Sequence, residues 1–198
     1  MRSHRQHTVG QWCMERWERL SGIAVLLLLV MFAGCTMQGE PPETPGRFSA
    51  ASDAFVHGRV MPARYTCLGK DISPPVRWER APNGTQSFAV IVEDPDAPGG
   101  LFTHWLVYGI PAIRSGLPEN LPKDREVMEG ILQGTNDFGT VGYQGPCPPT
   151  GAPHRYVLRV YALDGMMNLA GGADRETFDT VIKGHVLDTG ETGALFGR

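Results

Sequence analysis

Two aspartates framed by prolines, two histidines and a tyrosine are the residues of this chain best suited to chemistry. Asp94 and Asp96 lie in Asp94-Pro95-Asp96-Ala97-Pro98, His104 precedes Trp105, and His154 heads His154-Arg155-Tyr156. Carboxylates and imidazoles can hold a divalent cation, move a proton or orient one another. Imidazole N–H and phenol O–H groups also donate to an anion without help from Lys or Arg. Residues 134–149 (GTNDFGTVGYQGPCPP) add Gly134, Gly139, Gly142 and Gly145, and such a loop lets backbone N–H groups approach an anion closely. Each feature has a plainer reading. Asp and Pro make ordinary turns, a lone strand histidine is commonly a core or surface residue, and a long loop can be a mere connection. Spacing alone does not bring these residues to one place.

The elements that must position them are strands. With 198 residues, 41% of them hydrophobic, the chain can bury the core of one ordinary domain and is not a disordered composition. Its 25 glycines and 16 prolines exclude a coiled coil. Residues 87–93 (SFAVIVE) are apolar on both faces and bounded by turn signals, which predicts a buried strand. Residues 102–110 and 154–163 predict two longer strands, and residues 76–80 a shorter one. One helix is predicted, capped by Asp174, with Phe178, Val181, Ile182 and Val186 at helical spacing. The class is mainly β with a short C-terminal helix against the sheet.

Residues 23–33 (IAVLLLLVMFA) form an unbroken apolar run preceded by arginines. The run is too short to span a hydrocarbon core, which takes about 20 helical residues, and fits the apolar part of a secretory signal. Phe32-Ala33-Gly34-Cys35 resembles a bacterial lipobox, although Leu is more usual than Phe at its first position. The expected organisation is a lipoprotein signal peptide over residues 1–34, with Met14 as an alternative start. A Pro-rich flexible tether over 35–47 and a folded domain over 48–198 follow. Cys35 is then the lipidation site, bearing palmitate-type acyl chains. The expected localisation is the bacterial cell envelope, with Thr36 after the Cys favouring the outer membrane, facing the periplasm. The formal net charge of −3 carries no basic stripe, so no nucleic-acid partner is expected. Cys67 and Cys147 remain in the domain. In an exported protein such a pair is more often a disulfide than two thiols, but spacing does not establish it.

In this order the residues are distinctive. Pro62-x-x-Tyr65-Thr66-Cys67-x-Gly69 and Ile72-Ser73-Pro74-Pro75-x-x-Trp78 lead to Asp94-Pro95-Asp96-Ala97-Pro98 and His104-Trp105. Asn136-Asp137-Phe138-Gly139, Gly142-Tyr143-x-Gly145-Pro146-Cys147-Pro148-Pro149 and His154-Arg155-Tyr156 continue the series, and Gly184-His185-Val186-Leu187 closes it. The chain resembles the phosphatidylethanolamine-binding protein (PEBP) family, in its bacterial Raf-kinase-inhibitor-like branch, over the whole expected domain. The resemblance implies a large antiparallel sheet packed against a smaller one, with C-terminal helical segments. It also implies a small anion pocket at one sheet end, lined by Asp94, Asp96, His104, His154 and Tyr156, with Gly145 closing the wall. Cys67 and Cys147 fall near that same sheet end. Leu68 departs from the branch, which usually has an acidic residue there.

The leading functional expectation is a non-catalytic module for an anionic or phosphorylated small molecule, such as a phospholipid head group. The module needs neither cofactor nor metal, and an Asp beside each imidazole would raise its pKa. A surface-mediated protease or kinase inhibitor is the alternative, its protein partner unknown. A metal-dependent hydrolase built on Asp94, Asp96, His104 and His154 stands lower, because the chain has neither HExxH nor GxSxG. The envelope expectation has its own test. Cys35→Ser is expected to release the protein from membranes or leave it unprocessed in fractionated cells. Processing and membrane retention equal to the unaltered chain would refute lipidation.

Overall fold

Residues 87–94 are buried without a break because both faces of this strand are covered. The computed structural model describes residues 46–198; the leader, Cys35 and all but the last two residues of the tether lie outside the described residues. The strands are β1 (Ser49–Ala51), β2 (Val76–Glu79), β3 (Ser87–Asp94), β4 (Phe102–Pro111), β5 (Gly116–Leu117), β6 (Glu126–Met128), β7 (Ile131–Gln133), β8 (His154–Leu163) and β9 (Val186–Phe196). A single 3-10 turn (Ala63–Tyr65) and helix α1 (Arg175–Ile182) complete the described elements. A six-stranded sheet runs β6-β7-β4-β3-β8-β9 and a three-stranded sheet runs β1-β2-β5, with antiparallel pairing throughout. This is the large sheet on a small one that the resemblance implies.

The period-2 alternation of β3 divides its side chains between two cores. Phe88, Val90 and Val92 meet Phe48, Val76 and Trp78 of the small-sheet layer, with the Trp78 and Phe88 rings 5.0 Å apart. Ala89 and Ile91 face the other way, into a cluster with Leu106, Tyr108, Phe178 and Ile182. Helix α1 begins where Asp174 accepts the Thr177 N–H at 2.8 Å, and buries Phe178 and Ile182 against the large sheet.

The expected helical period included Val186, but the helix stops at Ile182 and Val186 opens β9. β9 is a strand that periodicity does not show. It carries Gly190 and Gly193, where alternating side chains would have announced a strand. Both glycines are required by close approach. A Cβ at Gly190 would lie 2.8 Å from the Ala50 nitrogen, and one at Gly193 would lie 2.7 Å from the Tyr156 oxygen. β9 pairs with β8 from His154↔Phe196 to Leu163↔Val186. Strands β1, β5, β6 and β7 have two or three residues each, too few for any period to register.

Glu93, one residue on from Val92, turns toward α1 with its side chain only 1% exposed. It accepts from Arg175 Nη1 at 2.6 Å and pairs with Arg159 of β8. Arg175 also reaches Asp179, and Arg159 reaches Glu191, both on the exposed side. The buried carboxylate therefore joins the helix to the sheet through its own cations. Glu93→Gln is expected to destabilise the domain by roughly 2–4 kcal/mol, because it leaves two guanidinium groups without their buried partner. Asp179→Ala, at the exposed end of the network, is expected to lose less than ~1 kcal/mol. Urea midpoints at constant m-value measure both, and equal losses would show that Glu93 does not anchor the helix.

Candidate functional site

The end of β3, the start of β4 and the start of β8 meet because the three central strands are antiparallel neighbours. Asp94 pairs with Phe102, and Glu93 pairs with both Thr103 and Val157. A bulge then aims one side chain. Val92 opposes Trp105 while Glu93 opposes Thr103, which leaves His104 as the extra residue of β4. The cleft formed here has a volume of about 150 Å³. Asp94, His104, His154 and Tyr156 give it polar groups, and Phe102, Phe138 and the Pro148-Pro149 segment give it an apolar wall.

His154 donates from Nδ1 to Asp94 Oδ2 at 2.7 Å, and the other oxygen, Oδ1, accepts the Asp96 N–H at 2.8 Å. The carboxylate thus orients the imidazole, whose ring lines the cleft, and leaves Nε2 outside that bond. His104 is held twice by the loop. Its Nδ1–H donates to the Gln144 carbonyl at 2.7 Å, while the Gln144 N–H donates to the His104 carbonyl at 3.0 Å. Phe102, Phe138 and Tyr156 surround the His104 ring with centroids 5.2, 5.4 and 5.3 Å away. Asn136 shapes the loop that carries Phe138: its Oδ1 accepts the Phe138 N–H at 3.0 Å, and its Nδ2 donates to the Gly142 carbonyl at 2.9 Å.

Electrostatics set the protonation of two of these groups. Burial lowers the His104 pKa, outweighing the Gln144 hydrogen bond and the charges of Asp94, Asp137 and Asp71 that raise it. The sequence expectation of an upward shift is reversed at this ring, since desolvation is the larger effect. Burial, and then the Asp94 carboxylate through its charge and its hydrogen bonding to the phenol, raise the Tyr156 pKa above the usual phenol value, so its hydroxyl keeps its proton.

Asp96 and Gly145 stand elsewhere than the expected lining. Asp96 accepts from the Arg155 backbone N–H and Nε at 2.9 Å each and from Nη2 at 2.6 Å, which brings its pKa down to about 2. It braces the turn after β3 against β8 and supplies the N–H that holds Asp94. Gly145 donates to Asp71 Oδ1 at 2.6 Å, and a Cβ there would lie 2.3 Å from the Tyr65 oxygen. It permits the loop to pack against the 3-10 turn. Cys67 and Cys147 are bonded, their Cα atoms 5.4 Å apart, and Cys147 adjoins the cleft. Closing a loop of 80 residues stabilises by ~4 kcal/mol on the chain-entropy model.

The sequence reading did not single out Phe102, Phe138 and Gln144 as site residues. Phe102 stands two positions from His104, a same-face spacing that could have found it; nothing local marks Gln144. A larger hollow of about 640 Å³ lies beside α1, but it is open, and three of its four acidic side chains are occupied. Asp174 caps the helix, Asp179 pairs with Arg175, and Asp137 accepts the Thr103 N–H. Among the described residues, no group of three or more His, Cys, Asp or Glu is placed to hold a metal ion.

A family model described as phosphatidylethanolamine-binding protein matches residues 51–197. A UPF0098 protein of Aquifex aeolicus is 48% identical over 149 residues, 74% of this chain and 86% of its own. A UPF0098 protein of Pyrococcus horikoshii is 41% identical over 179 residues, 89% of this chain and 88% of its own. Among solved structures, E. coli YbcL superposes with a TM-score of 0.73 at 32% identity, covering 77% of this chain and 99% of that one. A Chlamydia trachomatis homologue of the phosphatidylethanolamine-binding proteins gives 0.69 at 35% identity, covering 76% and 97%.

The His104 shift has a consequence for stability. Below an ordinary imidazole pKa of ~6.5 the unfolded chain takes up a proton that the buried ring resists. His104 therefore leaves stability unpenalised above that pH and lowers it as the pH falls, until the folded ring itself protonates. Asp96 acts at lower pH, since its contribution is lost as the pH falls from the ordinary carboxylate range through about 2. Urea midpoints at pH 8 and pH 5 are expected to fall further in the unaltered protein than in His104→Gln. An equal fall in both would remove His104 from the account.

Proposed function

The chain belongs to the phosphatidylethanolamine-binding protein family, and on that premise we propose that the cleft is a non-catalytic site for a small phosphorylated anion. The observation that carries this reading is the Asp94–His154 pair beside Tyr156, with His154 Nε2 and the phenol O–H on one small cleft. Tyr156 keeps its proton at physiological pH, and a bound anion shares that donor with the Asp94 carboxylate. His154 donates from Nε2 when it holds its second proton. The cleft has room for a phosphoryl group with a short substituent, and Phe102, Phe138 and the prolines can cover that substituent.

Nothing in the cleft is arranged as a nucleophile with a general base, and this favours binding over hydrolysis. Phosphate, a phosphomonoester and the head group of a phospholipid all present the oxygens the donors require. Anchoring at Cys35, proposed from the sequence, would keep such a site near a membrane. The second reading, a surface-mediated inhibitor, draws on Phe138, 40% exposed at the cleft, and Leu101, 53% exposed at the hollow beside α1.

The test is calorimetric titration with inorganic phosphate and phosphorylethanolamine at pH 6. His154→Ala is expected to lose roughly tenfold to a hundredfold in affinity, since a hydrogen bond to a charged group contributes ~1.5–3 kcal/mol. Tyr156→Phe is expected to lose a smaller amount, roughly two- to tenfold. Metal-dependent binding, or full affinity in His154→Ala, would overturn this reading.

A further inference from the structure

The phosphate reading leaves open which protonation state of which anion the cleft takes, and the hydrogen bond of His104 bears directly on this. A backbone carbonyl can only accept, so the 2.7 Å contact with the Gln144 oxygen places the proton of the neutral ring on Nδ1. Nε2 then carries a lone pair. Among the described residues it has no hydrogen-bond partner, yet no buried side-chain nitrogen is left unsatisfied, so Nε2 is accessible where the ring lines the cleft. An anion oxygen brought to that nitrogen without a proton would set lone pair against lone pair.

We propose that the cleft selects anions that carry a proton of their own: phosphomonoester monoanions and inorganic phosphate, in preference to phosphodiesters and sulfate. This rests on the anion reading above and narrows its ligand class. The P–OH group donates to His104 Nε2, while the remaining phosphoryl oxygens accept from Tyr156 and His154. Sulfate and a phosphodiester carry no proton near neutral pH and cannot complete that set. Asp94 acts in the same direction. Its charge stands at the cleft with both oxygens already accepting from Asp96 and His154, and it disfavours a dianion more than a monoanion. No Lys or Arg lines the cleft to offset that charge.

The groups facing His104 are Asp94 from β3, Tyr156 and His154 from β8, and Asp137 and Asp71 from the adjoining loops. The three carboxylates favour a second proton on the ring, but burial is the larger effect, so the ring remains an acceptor at neutral pH. A bound phosphomonoester, whose second pKa is ≈ 6, loses its own proton as the pH rises. Selectivity is thus greatest where the ligand is protonated and His104 is not.

The experiment titrates the protein with inorganic phosphate, phosphorylethanolamine, glycerophosphorylethanolamine and sulfate at pH 6 and pH 8. Phosphate and the monoester are expected to bind at least about tenfold more tightly than the diester and sulfate at pH 6, and the ratio is expected to shrink at pH 8. Imidazole 15N NMR of the free protein at pH 7 is expected to show His104 protonated at Nδ1 and bare at Nε2. His104→Gln, which can present either end of its amide, is expected to reduce the preference over sulfate. Comparable binding of all four anions at pH 6, or a proton on Nε2, would overturn the selectivity while leaving the anion site standing. Failure of every anion to bind would overturn both.

Discussion

Two buried carboxylates in succession at the end of β3 are the constraint around which this domain is arranged. Neighbouring strand residues point to opposite faces, so Glu93 goes to the helix layer and Asp94 to the cleft. Neither can remain charged in a dry interior without partners. Glu93 is met by Arg159 and Arg175, which ties α1 to the sheet. Asp94 is met by the His154 ring and the Asp96 N–H, which ties the turn after β3 to the first residue of β8. One strand end thus makes a structural ion pair on one face and the centre of the candidate site on the other.

The strands that bear the most buried area are legible because their residues obey a simple rule. Residues 87–93 read as a strand covered on both faces, and the two-layer burial of Phe88, Val90 and Val92 against Ala89 and Ile91 agrees. The antiparallel large and small sheets follow from the resemblance more than from periodicity. β9 escapes notice for a physical reason. Its Gly190 and Gly193 exist to let the chain pass close to β1 and β8, and they remove the side chains that pattern reading depends on. Val186 keeps the helical spacing after Ile182, yet it opens β9 because the helix ends at Ile182.

Within the site, residue type and strand-end position identify Asp94, His104, His154 and Tyr156, all of which the antiparallel registers bring to one cleft. Direction is what a linear reading lacks. Asp96 sits only two residues from Asp94, yet its carboxylate meets Arg155 and serves the turn. His104 enters the cleft through a bulge that no local residue announces, and Gln144, which fixes its tautomer, contributes only backbone atoms. A backbone acceptor has no residue type to recognise.

The charge of Asp94 explains why the rest of the cleft is neutral or switchable. At an effective dielectric of about 20, two unit charges about 4 Å apart interact by roughly 4 kcal/mol, so a bare carboxylate there would repel any anion. Both Asp94 oxygens are occupied by N–H donors, which spreads that charge without cancelling it. A lysine or arginine would neutralise it and strengthen attraction, but it would do so for every anion alike. Groups that must each find a matching donor or acceptor attract less and discriminate more, because an unmatched buried pair costs more than a matched one contributes. His104 is the sharpest instance. Its proton is directed away from the ligand by a carbonyl that belongs to the loop, so the same loop that closes the cleft also fixes what the cleft can accept.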